Sequence, residues 1–212
     1  MFTLAHLSDP HLPMPAARPG QLLSKRATGY VNWWRNRVHL HLPEALAGIV
    51  ADIKAEKPDH IALTGDLVNV ALPEEFRCAA AWLAAFDRPD RLTVIPGNHD
   101  VYVPIPWDEG LGLWGAYMAG DGQPSARGFD VFPTIRRRDG VALIGLSTGV
   151  PKPPLFATGD LGSAQIARAE QLDRVTAEIL PENVQMIEIC RALGFRLEPD
   201  GEAIHAVLDL TH

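Results

Sequence analysis

Three short apolar runs, "FTLAHLSD" (residues 2–9), "HIALTGD" (60–66) and "LTVIPGNHD" (92–100), each end in a polar cluster, and none alternates strictly. Runs of this kind predict strands buried on both faces, as in a parallel sheet. Between the first two, Leu42, Leu46, Ile49, Val50 and Ile53 share one face of a helix; between the second and third, a helix opened by Pro73 carries Phe76, Ala79, Ala80, Leu83 and Phe86. Strand, helix, strand, helix, strand is a wound α/β arrangement, whose ligands sit at the carboxyl ends of the strands. All three polar clusters fall there.

At 212 residues the chain has room for one α/β domain with a sizeable core. An irregular Gly/Pro-rich span from Val103 to Gly128 follows the third strand. Then "FPTIRRR", "DG" and "VALIGLS" predict a hairpin with a primed turn, the start of a second sheet. Arg136 to Arg138, beside that turn, read as a solvated strand end. Helix-like segments cover about Ser163 to Ile179 and Glu182 to Leu193, and "AIHAVLDL" alternates as a half-exposed strand. The net charge of -7 argues against a general nucleic-acid binder. Cys78 and Cys190 lie among apolar neighbours in helix-like segments and read as buried free thiols, which fits a reducing cytoplasm. The N-terminus lacks the pattern of a signal peptide and no run is long enough to span a bilayer, so the expectation is a cytoplasmic protein without membrane contact.

The strand ends bring Asp9 and His11, then Asp66, then Asn98, His99 and Asp100. Carboxylate, imidazole and amide oxygen together suit Mn, Fe or Zn better than the pure oxygen cage preferred by Ca or Mg. Alternate residues at a strand end point to one side, so Asp9 and His11 are expected to face one ion. A carboxylate on the neighbouring strand would then reach a second ion about 3.5–4 Å away. Taken singly, "DPH", "GD" and "GNHD" are each explicable as solvated turns; in order, each closing a buried strand, they are hard to explain without a metal.

"DPH" (Asp9 to His11), "GDLVN" (Gly65 to Asn69) and "GNHD" (Gly97 to Asp100) resemble the first three motifs of the calcineurin-like metallophosphoesterase superfamily, over about residues 1–173. The resemblance implies an α/β/β/α sandwich and hydrolysis of a phosphomonoester or phosphodiester at two divalent metal ions. It implies Asp9 and His11 on the first metal, Asp66 bridging and Asn98 on the second. His99 would contact the phosphate and protonate the leaving oxygen, and Asp100 would orient His99. Nucleic acid enters this reading only as a substrate.

The family also brings three imidazoles from its second half, whereas this chain has only His205 and His212 after His99. Neither matches. The segment from about 174 to 212, with Asn183, Met186 and Leu193 to Phe195, is similar instead to the closing helix and strand of GNAT-type acyltransferases. The expectation is a phosphoesterase domain cut short near residue 173 and joined to an unrelated tail. Its second sheet would be incomplete, its activity impaired, and its uncovered edge prone to self-association. A catalytically inactive metal-binding or interaction protein is the first alternative. The second is a nucleic-acid-binding module built on "SKRATGYVNWWRNRVHLH" (residues 24–41), where Arg26, Arg35 and Trp33 would hold a backbone and stack a base; that stretch reads more simply as a helical flap packed on the core.

Overall fold

The computed structural model describes residues 2–22, 25–36, 42–123, 125–153, 159–162, 165, 174–179, 184–192, 194–200 and 203–209. The chain divides into two compact units, residues 1–162 and 163–212.

The first unit is built on a parallel sheet of β1 (Leu4–Ser8), β2 (His60–Thr64) and β3 (Leu92–Ile95), in that spatial order. Helices α1 (Lys25–Asn36) and α2 (Pro43–Glu56) lie between β1 and β2, and α3 (Pro73–Phe86) between β2 and β3. α3 begins with Pro73, as the sequence predicts, and α2 likewise begins with Pro43, which sequence reading had not singled out; at either start the missing N–H removes no helical bond. The buried face of α3 is Phe76, Ala79, Leu83 and Phe86, spaced at helical period and packed on Ile61 and Leu63 of β2 and Leu92 and Val94 of β3. Only β2 and β3 are well buried. β1 alternates, with Leu4, His6 and Ser8 exposed, so the expectation of burial on both faces fails there.

The Gly/Pro-rich span after residue 103 contributes to the core. Its short helical turns, including α4 (Gly115–Met118), bury Leu111, Trp114, Tyr117 and Met118, and the Trp114 indole donates to the Phe76 carbonyl at 3.1 Å. The hairpin of β4 (Thr134–Arg138) and β5 (Val141–Gly145) follows as a second sheet. Its turn residues Asp139 and Gly140 have φ of 46° and 84°, the double left-handed signature of a primed turn.

Arg136 corrects the reading of the three arginines as a solvated strand end. It is 4% exposed and its guanidinium donates to the carbonyls of Pro89, Leu92, Ala116, Tyr117 and Ala119. Strand alternation turns Arg136 inward beside Thr134, where these carbonyls need donors. Burial lowers its pKa to about 10, with Arg138 acting the same way. Cys78 is a second correction: it is exposed, because it lies off the apolar face of α3.

The second unit holds β6 (Arg174–Ile179), α5 (Val184–Ala192), β7 (Arg196–Asp200) and β8 (Ala203–Asp209). They form an antiparallel sheet with β8 in the middle, and Ile187, Cys190 and Ala206 are buried in its small core. Residues 174–179 were expected to be helical and are a strand instead. "RVTAEI" holds three β-branched residues and pairs along its whole length with β8, which outweighs the helical periodicity read there. Gln165 is helical, and residues 166–173 of that expected helix lie outside the described residues. Among the described residues no helix is long and apolar enough to cross a membrane.

Candidate metal centre

β1 stops at Ser8, but the chain stays beside the loop after β2, with the amides of His11 and Leu12 donating to the carbonyls of Asp66 and Leu67, both at 2.9 Å. Asp9, His11 and Asp66 have φ of 50°, 39° and 54°, left-handed values that are uncommon outside glycine. Strand alternation therefore does not bring Asp9 and His11 together, contrary to the expectation. The turn beyond the strand places His11 with Asp66 and His99 and puts Asp9 beside Asp66.

Two glycines let the loops after β2 and β3 meet. Gly65, at φ 81°, passes so near Gly97 that an added Cβ would lie 2.9 Å from the Gly97 Cα. A Cβ on Gly97 would lie 2.3 Å from Oδ1 of Asp66. That space is taken by the Asp66 carboxylate, whose Oδ1 accepts the His99 amide at 2.8 Å.

Nδ1 of His99 meets the Asn69 carbonyl at 2.5 Å. A carbonyl only accepts, so Nδ1 carries the proton and Nε2 bears the lone pair in the neutral ring. Asn69 is held in turn by Glu75. That buried carboxylate accepts from the Asn69 amide at 2.7 Å, its side-chain amide at 3.1 Å, and the amides of Val70 and Leu72. The Asn69 side chain also donates to the Leu12 carbonyl at 2.9 Å, tying in the loop of His11. Asp100, fully buried, accepts from the amides of Val68 at 3.0 Å and Gly97 at 2.9 Å. It fastens the loop of Asp66 to the loop of His99, and burial pushes its pKa up to about 7.

One ligand atom each from His11, Asp66 and His99 lies within 4.8 Å of the others, a donor set that fits a divalent ion of intermediate hardness. Nε2 of His11 is 3.9 Å from Oδ2 of Asp66, and the His11 and His99 rings meet edge to face at 5.0 Å. Burial raises the pKa of Asp66, and the adjacent Asp9 pushes the same way, while His99 pulls it down. Two crowded carboxylates beside two imidazoles are what a bound cation would relieve. Asn98 is half-buried in the turn between Gly97 and His99.

Residues 2–189 match the calcineurin-like phosphoesterase family. The chain belongs to that family. Calcineurin-like phosphoesterases bind divalent metals, and the match ends within α5, ahead of β7 and β8. The glycerophosphodiester phosphodiesterase GpdQ of Enterobacter lignolyticus (strain SCF1) is 32% identical over 97 residues, which is 46% of this calcineurin-like phosphoesterase and 29% of that relative. The alignment thus reaches less than a third of the relative's length.

Arg26, Arg35 and Trp33, expected to hold a phosphodiester backbone and stack a base, sit on α1. Arg26 is turned to the protein: Nη2 donates to the Ala71 carbonyl at 2.7 Å and Nε to that of Val70 at 3.3 Å. Arg35 is exposed, and Trp33 is half-buried, its ring 5.9 Å from that of Tyr30. Residues 24 and 37–41 of the expected flap lie outside the described residues. Sequence reading missed Asn69 and Tyr102. Tyr102 stacks on His99 with ring centroids 5.7 Å apart and planes 6° apart. Its position three residues after His99, in a turn closed by its own amide on the His99 carbonyl, was the available signal.

Proposed function

We propose that this chain hydrolyses a phosphodiester at a dinuclear metal centre. The carrying observation is the convergence of His11, Asp66 and His99 at the ends of parallel strands. Asp9 and His11 would hold one ion, Asp66 would bridge, and Asn98 would hold the second, with Mn, Fe or Zn suiting the donor set. The ions would neutralise the phosphoryl oxygens and make water acidic enough to attack at neutral pH. With Nδ1–H tied to Asn69, the doubly protonated ring of His99 would give its Nε2 proton to the leaving oxygen and return to the neutral form with the lone pair on Nε2. As water forms the new P–O bond, the ester P–O bond breaks and the departing alkoxide takes that proton, giving an alcohol and a phosphomonoester. Asp100 serves by joining the two loops, and Asn69 orients the imidazole directly. The diester, rather than a monoester, is favoured by the likeness to a glycerophosphodiester phosphodiesterase.

One observation favours a second reading, a metal-binding protein with impaired chemistry. After His99 the sequence offers only His205 and His212, and His205 is in the interior of β8, paired on both sides. On either reading the segment from about residue 174 to 212 is a tail of separate origin, although the family match runs on to residue 189, and the protein acts in the cytoplasm. Metal analysis of purified protein, with hydrolysis of bis(p-nitrophenyl) phosphate under added Mn, tests both. Bound metal with turnover supports hydrolysis, bound metal without turnover supports the second reading, and absence of metal affinity defeats both.

A further inference from the structure

Gly29 stands inside α1, where glycine is a poor helix former and no turn requires it. Its packing gives the reason. A Cβ at Gly29 would lie 2.7 Å from the hydroxyl oxygen of Tyr102 and 2.9 Å from two carbons of its ring, so the backbone of α1 rests directly on the tyrosine. Lys25, in the first turn of α1, places Nζ 4.2 Å from the Tyr102 ring centre and donates to the Lys152 carbonyl at 3.0 Å. Arg26 fastens the same helix to Val70 and Ala71, next to the Asn69 carbonyl that holds His99.

The stack is therefore layered: helix α1, then Tyr102, then His99. A hydrogen bond at Nδ1 fixes one edge of the imidazole but permits rotation about the N–H···O line. A ring lying 6° from parallel over its face removes that freedom.

We infer that Tyr102 is a positioning residue for His99, and that α1 sets the place of Tyr102 through direct contact at Gly29. The helix is the outer support of the centre. Its kinetic consequence rests on the hydrolytic role proposed above for His99; its structural consequence does not.

The test is Gly29→Ala in the full chain, a change that favours the helix and acts on His99 only through the tyrosine. Resonances of the His99 ring, assigned by their loss in His99→Gln, should move in Gly29→Ala. In a Tyr102→Leu background the same substitution should leave them still. No movement in the native background, or equal movement in both, overturns the inference. With Mn and an aryl phosphodiester, Gly29→Ala should lower kcat by up to about 10²-fold with KM nearly unchanged, the effect of a misplacement on the order of 1 Å. A raised KM at constant kcat would assign the helix to substrate binding and overturn the positioning role. If no variant and no parent protein turns over, the hydrolytic reading fails, and the pair of resonance experiments still decides the place of Tyr102.

Discussion

The carbonyl of Asn69 accepts the Nδ1 proton of His99 at 2.5 Å, so a backbone atom of the second motif sets the tautomer of an imidazole in the third. Nε2 is left as the nitrogen that faces chemistry. His99→Ala should then retain nearly all bound metal while lowering hydrolysis by about 10²–10⁴, the usual range for a positioned acid or base. Metal content by mass spectrometry beside initial rates will check it. Loss of metal in the variant would make His99 a ligand, as its proximity to His11 and Asp66 also allows.

Asp66 makes contacts on two sides of the centre: its Oδ1 takes the His99 amide and its Oδ2 faces His11. Asp66→Ala should abolish binding of divalent metal, because a bridging group serves both ions. Calorimetric titration with Mn reads this directly, and unchanged stoichiometry and affinity would end the bridging assignment.

His60 is fully buried, with Nε2 2.7 Å from the Thr93 hydroxyl, and burial together with Arg136 and Arg138 lowers its pKa from 6.5 to about 4. The unfolded imidazole gains its proton near 6.5, whereas the folded one resists until about 4. Its contribution to stability is therefore complete above about pH 6.5 and lost as the pH falls toward 4. Urea unfolding at about pH 7 and pH 4.5 should show a smaller acid-induced loss in His60→Gln than in the parent. Identical losses would remove His60 as the source.

Arg136→Met keeps much of the apolar stem but withdraws donors from five carbonyls. Unsatisfied buried acceptors should destabilise the fold by about 3 kcal/mol. The urea midpoint should drop while the dependence on urea concentration stays constant. A shift within about 0.5 kcal/mol, the level of an ordinary surface change, would mean that water replaces the guanidinium.

The wound α/β plan was legible because its signals are local. Pro73 and the spacing of Phe76, Leu83 and Phe86 mark α3, and Asp139–Gly140 marks the hairpin turn. The gathering of Asp66, His11 and His99 was legible as motifs. What joins them was not, since the Asn69 side chain ties to the Leu12 carbonyl and the Asn69 carbonyl to His99 across long stretches of chain, and Arg136 likewise gathers carbonyls remote in sequence elsewhere in the core. The strand Arg174–Ile179 was misread for a related reason: its pairing with β8 is non-local and prevailed over a weak helical period.

The left-handed turns at Asp9, His11 and Asp66 also bear on how this protein would change under selection in the laboratory. Backbone held at such angles stores roughly 1–3 kcal/mol per residue, and a substitution that lets the loop relax recovers part of it. A library screened for heat tolerance alone should thus drift away from the motif residues first. Keeping them will require a screen that rewards chemistry at every round.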